Sequence, residues 1–266
     1  MMDIAELVAD LNDESNSLDG IVTGLANADW QRDTPAAGWT IAHQIAHLTW
    51  TDRSTLLAIN DPVAFAAHLN EAAASPDSFV DRGAQETLAE PAALLATWRE
   101  SRRALAQALL AVPAGKKVPW YGVDMSATSM ATARLMETWA HGLDVADALG
   151  LTREPTARLR HIVFLGHRTL GYSFLARGRP LPQEPVRLEL TGPGNDTPLW
   201  TFGPEDAQNR VTGSALDFCL LVTQRRHRAD LDLWAEGPVA NEWLDIAQAF
   251  AGPPGPGRES TTAGAA

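Results

Sequence analysis

Apolar residues recur three and four positions apart over long stretches of the first half of the chain, a spacing that predicts amphipathic helices. In the first stretch Leu7, Leu11 and Leu18 fall on one helical face. The second predicted helix begins after Thr40, a favourable N-cap residue, and the last one ends before Gly150, a common helix-ending residue. Four of these helices are long and no strand signal separates them, so we expect a four-helix bundle. The predicted helices are residues 3–27, 41–59, 63–74, 91–112 and 127–149.

The pattern changes near residue 152. Proline residues at 180, 182 and 185 interrupt the chain, and short β-rich segments follow them. This order predicts an α+β two-domain protein, with a helical bundle at 1–151, a small α+β domain at 152–252 and a disordered tail at 253–266. The predicted helices of the second half are residues 155–177, 214–224 and 238–250. Its predicted strands are residues 186–192 and 198–203, with 208–213 and 231–237 as further candidates.

The charge balance narrows the range of partners. Asp and Glu outnumber Lys and Arg by 33 to 21, which gives a formal net charge of -12. Nucleic acids and anionic membranes attract basic proteins, so we expect neither as a partner. Cys219 is the single cysteine and excludes an internal disulfide, which fits a reducing cytoplasm, and the N-terminus has no signal-peptide pattern. We therefore expect a cytoplasmic monomer or homodimer that acts on a small molecule.

Two helices carry pairs of candidate metal ligands. His43 and His47 are four residues apart on the second long helix, and Glu137 and His141 are four apart on the last long one. Residues at this spacing share a helix face, and two helices packed roughly 8–10 Å apart can bring such pairs onto one ion. Two imidazoles and a carboxylate bind zinc and leave a position open, although iron or another divalent ion suits them as well.

The spacing alone leaves a second interpretation open. Glu137 and His141 at this separation also form the weak pair that is common on exposed helices, and His43 suits either the core or the solvent. Asp144 falls on the same face as Glu137 and His141. In a metal site Asp144, or another acceptor, would hold His141 in the tautomer that a ligand needs.

Two segments resemble a known family. AAGWTIAHQIAHLTWTD (36–52) and RLMETWAHGLDVADALG (134–150) resemble the second- and fourth-helix signatures of the DinB-like superfamily. More narrowly, they resemble the N-terminal domain of mycothiol-dependent maleylpyruvate isomerases. In that family a His of the second helix and the Glu and His of the fourth bind a divalent metal, usually zinc. The resemblance, which covers roughly residues 1–150, implies His47, Glu137 and His141 as ligands and leaves His43 to line the pocket.

The second half resembles the sterol-carrier-like C-terminal domain of actinobacterial proteins that carry this bundle. The resemblance lies in residues 157–178 and 209–228. Family members include S-transferases and isomerases that use the thiol mycothiol. The resemblance therefore implies a metal-dependent enzyme, with zinc and mycothiol or another small thiol, that acts on an electrophilic metabolite. A thiol-independent metal-dependent isomerase or cyclase and a non-catalytic small-ligand-binding protein remain as alternatives, and no catalytic residue is assigned.

Aromatic side chains are the candidate pocket walls. Trp50 lies on the helix of His47, while Trp120 and Tyr121 lie in the connection before the last long helix. Ligand pockets are mostly apolar with a few polar groups, so we expect these three rings to line the pocket. The alternative for Trp120 and Tyr121 is a connecting loop that simply packs against the bundle.

A run of cations follows the predicted helix at 214–224. It reads Arg-Arg-His-Arg at residues 225–228. Cations near a helix C-terminus are favourable on dipole grounds alone. The same groups also suit an anion site for a carboxylate. The sequence leaves both interpretations open.

Overall fold

The computed structural model describes residues 3–194, 198–255 and 257–261. The chain divides into two compact units, Met1–Arg153 and Glu154–Ala266, called unit 1 and unit 2 below. The predicted combination of a helical N-terminal part and an α+β C-terminal part is confirmed. Unit 1 contains α1 (Ile4–Val22), α2 (Ile41–Asn60), α3 (Pro62–Ala74), α4 (Phe79–Thr87), α5 (Pro91–Ala111), β1 (Lys117–Val118), β2 (Met125–Ser126) and α6 (Ala127–Leu149).

The helix ends follow local chemistry. Ser126 Oγ accepts a hydrogen bond from Ser129 N at 3.1 Å and caps the start of α6. Gly150 ends the same helix with φ 67°, a left-handed conformation that favours glycine. The sequence pattern misses α4, because its nine residues are too few to show a helical period and only Phe79, Gly83 and Ala84 are buried.

The four long helices α1, α2, α5 and α6 pack against one another around an apolar core. A ladder of polar pairs also crosses the interface between α2 and α6. Residue numbers rise along α2 while those of their partners fall along α6, so the two helices are antiparallel. The ladder consists of Gln44 with His141 at 2.5 Å, His47 with Glu137 at 3.4 Å, and Asp52 with Arg134 at 3.2 Å.

Unit 2 is built on a four-stranded sheet. Its strand order is β4-β3-β5-β6, in which β3 and β5 are parallel and the other neighbours are antiparallel. Buried and partly buried residues alternate along β3, as expected for a strand with one face in the core. Its elements are α7 (Leu159–Arg168), α8 (Leu170–Leu175), β3 (Val186–Thr191), β4 (Leu199–Phe202), β5 (Asn209–Ser214), α9 (Ala215–Val222), β6 (Leu233–Glu236) and α10 (Pro238–Ile246).

Two details differ from the sequence prediction. The single helix expected at 155–177 is divided into α7 and α8 at Thr169, whose φ of -92° and ψ of 8° leave the helical region. In the tail, Ser260 Oγ and Thr261 N donate hydrogen bonds to Asp230, at 2.9 Å for the serine. These described tail residues therefore contact the turn that contains Asp230, whereas residues 256 and 262–266 of the predicted disordered tail lie outside the described residues.

Among the described helices, none has both the length and the apolar composition that a membrane span requires.

An ionic cluster joins α1 to α5. Asp19 on α1 accepts hydrogen bonds from Arg99 Nε at 2.8 Å and from Arg102 Nη2 at 2.6 Å, and Thr23 Oγ1 also donates to it at 2.7 Å. The hydrogen bond from Arg99 is the main reason that the pKa of Asp19 falls to about 2, and burial opposes the shift. The charged form of this carboxylate is therefore favoured in the folded chain.

We expect Asp19→Asn to lower the free energy of unfolding by about 2 kcal/mol at neutral pH. Because the pKa of Asp19 is lowered on folding, its contribution is present above the unfolded value near 3.8 and is lost as the pH falls towards about 2. Urea unfolding of both proteins across this range would measure the difference. The exposed Asp13 on the same helix provides the control, since Asp13→Asn should change stability little at any pH. A difference between wild type and Asp19→Asn that stays constant down to pH 2 would contradict the assignment.

Candidate metal centre

Two facing helices bring the three predicted ligands together. His47 lies on α2, while Glu137 and His141 lie one turn apart on α6. His47 Nε2 is 3.4 Å from Glu137 Oε2, and His141 Nε2 is 3.1 Å from the same oxygen. One ligand atom from each residue lies within 4.8 Å of the other two. The residues that the resemblance implied as ligands therefore converge on one point.

These separations suit a metal ion. Ligands at 2.0–2.2 Å from a tetrahedral zinc lie roughly 3.4 Å from each other. The two imidazoles and the carboxylate are the donor set that zinc takes in sites with an open position. His47 is 6% exposed, and the Glu137 side chain keeps 23% of its surface accessible. The site is therefore sheltered but not sealed.

The electrostatics favour the ligand forms of these groups at neutral pH. Burial is the largest cause that lowers the pKa of His47 to about 4, and repulsion between His47 and His141 when both rings are protonated lowers it further, although Glu137 opposes both. For Glu137, burial alone would raise the pKa, but hydrogen bonds and charge from His141 and His47 outweigh it and hold the pKa well below its usual range. His47 is therefore a neutral imidazole at neutral pH and Glu137 is a carboxylate.

Gln44 holds His141 in place. Its Oε1 accepts a hydrogen bond from His141 Nδ1 at 2.5 Å. Nδ1 therefore keeps its proton, and Nε2 is the nitrogen that would lose its proton to bind a metal ion. Gln44 Nε2 in turn donates to Thr34 Oγ1 at 2.8 Å. The predicted partner Asp144 is farther away, with Oδ2 at 3.8 Å from Nδ1. The sequence reasoning missed Gln44, although its position three residues before His47 puts both on one face of α2.

His43 has a different role from its neighbour one turn later. Thr40 N lies 3.3 Å from His43 Nδ1, and Thr40 Oγ1 lies 2.8 Å from the same atom, so both donors require Nδ1 to accept. Nε2 then carries the proton and donates to Gln85 Oε1 at 3.1 Å. His43 thus caps α2 and joins it to α4, and it is not part of the converging set.

Two tryptophans shelter the histidines. The Trp39 ring lies 5.2 Å from His47 and 5.9 Å from His141 between ring centroids, and it is nearly parallel to His141. The ring centroid of Trp50 also lies 6.0 Å from that of His47. His47 Nδ1 is buried and has no hydrogen-bond partner among the described residues, so ring packing orients this imidazole. Trp39 was not predicted, although it directly precedes the Thr40 cap.

Trp120 and Tyr121, which were predicted to line the pocket, are connected to the histidines only through other aromatic rings. Tyr121 lies 5.7 Å from Phe79, which in turn lies 5.3 Å from Trp50. Trp120 stacks on Phe65 at 5.7 Å. Burial raises the pKa of Tyr121 to about 12, so its phenol is protonated. Within the described residues, these two rings form an outer layer behind Trp50 rather than a direct wall against the histidines.

Comparison with known proteins shows the family to which the chain belongs. The sequence profile of the family described as "Mycothiol maleylpyruvate isomerase N-terminal domain" matches residues 11–146, and the chain belongs to this family. The family expected from the sequence is thereby confirmed. A second profile, described as "Wyosine base formation", matches residues 182–236. The sterol-carrier-like resemblance of unit 2 stays a prediction.

Individual relatives extend the comparison over both units. Two uncharacterized proteins of Mycobacterium tuberculosis, from strains CDC 1551 / Oshkosh and ATCC 25618 / H37Rv, are each 57% identical over 259 residues, which cover 97% of this chain and 100% of theirs. The crystal structure of the mycothiol-dependent maleylpyruvate isomerase has a TM-score of 0.56 at 17% identity, and that of its histidine-to-alanine mutant has 0.57 at 16%. Each covers 89% of this chain and 95% of its own. At these identities the likeness concerns the fold.

The position of Trp50 depends on Gly83 of α4. A Cβ atom at Gly83 would overlap the Trp50 indole. We therefore expect Gly83→Ala to displace Trp50 and to lower the free energy of unfolding by about 1–3 kcal/mol. Gly20→Ala on α1 is the matched control, because a Cβ there meets nothing within 4 Å, and this change should stabilise the chain by about 0.5–1 kcal/mol. Urea unfolding followed by tryptophan fluorescence measures both. Equal stabilisation by the two alanines would contradict the packing described.

Proposed function

We propose that the protein is a metal-dependent S-transferase or isomerase. It would use a low-molecular-weight thiol of the mycothiol type and act on an electrophilic small molecule. The observation that carries the proposal is the convergence of His47, Glu137 and His141 in forms suited to a divalent ion. Membership of the mycothiol maleylpyruvate isomerase N-terminal domain family supports the thiol. The fold shared with a mycothiol-dependent maleylpyruvate isomerase agrees with it.

The proposed roles follow the geometry. His47, Glu137 and His141 would hold the ion, with zinc as the first choice for this donor set and iron as the second. A divalent ion bound there would polarise a substrate oxygen or favour the thiolate form of a thiol. Gln44 accepts a hydrogen bond from His141 Nδ1, so Nε2 is the nitrogen that would bind the ion. The rings of Trp39 and Trp50 exclude water from the histidines.

The proposed substrates are electrophilic metabolites, such as enones or epoxides, which a thiolate attacks at carbon. The partly accessible Glu137 side chain marks the side from which small molecules would approach.

Metal content is the first test. We expect about one divalent ion per chain in tag-free protein purified without chelators, and its loss in His141→Ala, since this change removes one of three ligands. His43→Ala is the matched control, because His43 lies one turn away on the helix of His47 but bonds to Thr40 and Gln85. Elemental mass spectrometry of the three proteins gives the stoichiometry. Retention of a full complement of metal by His141→Ala would refute the ligand assignment.

The thiol is tested separately on the metal-loaded protein. A panel of enones and epoxides is incubated with mycothiol, with bacillithiol, with glutathione and with no thiol, and the products are identified by mass spectrometry. Thiol-dependent consumption that disappears in His141→Ala supports the proposal. Turnover without any thiol would replace it by a metal-dependent isomerase or cyclase. Ligand binding without turnover would point to a non-catalytic binding protein.

Gln44 offers a test that does not need a substrate. Partners that fix a ligating histidine change metal affinity about 10–100-fold, so we expect Gln44→Leu to weaken metal binding by this factor. Leucine has a similar volume and Gln44 is fully buried, so the bundle should remain folded. Gln85→Leu, which removes the partner of the non-ligand His43, is the control and should leave affinity unchanged. Competition with a chromophoric chelator measures both. Equal affinity of Gln44→Leu and wild type would show that Asp144 or packing suffices.

A further inference from the structure

Unit 2 contains a cavity of about 590 Å³, a volume typical of small-molecule sites. It lies beside the end of α9, the turn at Arg228–Asp230 and α10, and the chain after α10 closes one side. Every lining residue belongs to unit 2, whereas the candidate metal centre lies in unit 1. The cavity is therefore a different site from the one described above.

The lining is strongly basic in an acidic protein. Four arginines line it, and Asp245 is the single acidic residue among the lining residues. The whole chain has a formal net charge of -12 and 21 Lys and Arg residues, so almost a fifth of these cations lie around one cavity. All four guanidinium side chains are partly buried. The arginines are Arg177, Arg226, Arg228 and Arg258.

Backbone carbonyls fix the arginines in position. Arg177 Nη1 donates to Ile246 O at 2.8 Å, and Arg228 Nη1 donates to Asn241 O at 2.9 Å. Arg228 also donates to Asp245 Oδ1 at 2.5 Å and to Asn241 Oδ1 at 2.7 Å. A guanidinium carries five N–H donors, so these bonds orient the groups without using all of them. Burial, followed by the charge of Arg179, lowers the pKa of Arg177. Pre-positioned guanidinium groups bind carboxylates and phosphates in a two-point manner.

One residue that lines the cavity has a strained backbone conformation. Gln224 has a φ of 57°, in the left-handed region, and it lines the cavity. It ends α9 in the manner usually given to glycine, with Arg225 N bonded to Leu220 O at 2.8 Å. A side chain in this conformation is strained, and such residues cluster at functional sites. The Gln224 amide adds a polar group to the basic lining.

The remaining surface is suited to a carbon skeleton. Leu221, Leu244 and Ala247 are buried and form an apolar floor. Arg258 reaches the cavity from the tail, which is tied down by the hydrogen bonds to Asp230 from the two residues at 260 and 261. The lining thus combines three buried apolar residues, four arginines and residues of the tail.

We propose that this cavity binds a small organic anion that carries two or more carboxylate or phosphate groups. The guanidinium groups of Arg177, Arg226, Arg228 and Arg258 recognise the anionic groups, and the apolar floor contacts the carbon skeleton. A small molecule is favoured over a nucleic acid because the site is a cavity rather than a basic stripe and the chain as a whole is acidic.

Calorimetric titration of the full-length protein with citrate and with pyrophosphate tests the proposal. Both probes chelate metals, so the titrations are repeated on His141→Ala, which lies outside the cavity. We expect saturable binding of at least one probe, with one site per chain, in both proteins. Trimethyl citrate, the neutral analogue, should not bind. Citrate-selective binding identifies a polycarboxylate site, and pyrophosphate-selective binding identifies a phosphate site.

Arginine variants make the test specific. We expect Arg177→Gln and Arg258→Gln each to weaken binding about tenfold or more, since each removes a guanidinium from the lining. Arg179→Gln is the matched control, because Arg179 lies two residues from Arg177 but pairs with Glu242 outside the lining. Arg258 lies in the tail, so its replacement keeps the test valid if Arg177→Gln fails to fold, which circular dichroism would reveal.

Several results would overturn the proposal. One is the absence of saturable binding by either probe into the millimolar range. Another is an equal loss of affinity in Arg179→Gln, which would indicate general charge attraction. Loss of binding in His141→Ala would assign the probes to the metal centre instead. Binding of a short oligonucleotide that depends on Arg177 and Arg258, with no binding of either small probe, would identify a nucleic-acid surface.

Discussion

The buried polar ladder between α2 and α6 is the constraint on which the rest of unit 1 depends. Polar and charged groups in a helical core are costly unless each finds a partner, and breaking a buried ion pair such as Asp52 with Arg134 costs about 3–5 kcal/mol. Here every rung joins one helix to the other, and the rungs are Gln44 with His141, His47 with Glu137 and Asp52 with Arg134. A shift of α2 by one turn would separate all three. The ladder therefore fixes the register of the helices and, with it, the convergence of the candidate ligands.

The pKa values of two carboxyl groups of this ladder are shifted in opposite directions. Burial raises the pKa of Asp52 to about 6, and the charge of Arg134 only partly offsets it. Glu137 is also buried, but two imidazoles stabilise its charged form. Environments that push neighbouring titratable groups apart in this way often separate structural from functional roles. Asp52 pairs with Arg134 inside the bundle, whereas the proposed ligand is the carboxylate whose pKa is lowered.

The two units carry complementary chemistry. Unit 1 gathers neutral imidazoles and a carboxylate, a set that suits a cation, while unit 2 gathers guanidinium groups around a cavity that suits an anion. In both units, hydrogen bonds to neighbouring groups fix the orientation of the proposed binding side chains. Gln44 serves this purpose for His141, and the carbonyl of Ile246 does so for Arg177.

The sequence by itself determined what depends on one segment at a time. Helical spacing predicted the long helices, Thr40 and Gly150 marked their ends, and the four-residue separation of Glu137 and His141 put both on one face. The resemblance then selected His47 over His43. Only the tertiary structure decided which segments meet. It put Gln44 rather than Asp144 within hydrogen-bond distance of His141, and it packed Trp39 against the histidines. It also brought the tail to the cavity beside α10. Periodicity is a property of a single helix, whereas these contacts depend on the positions of residues far apart in the chain.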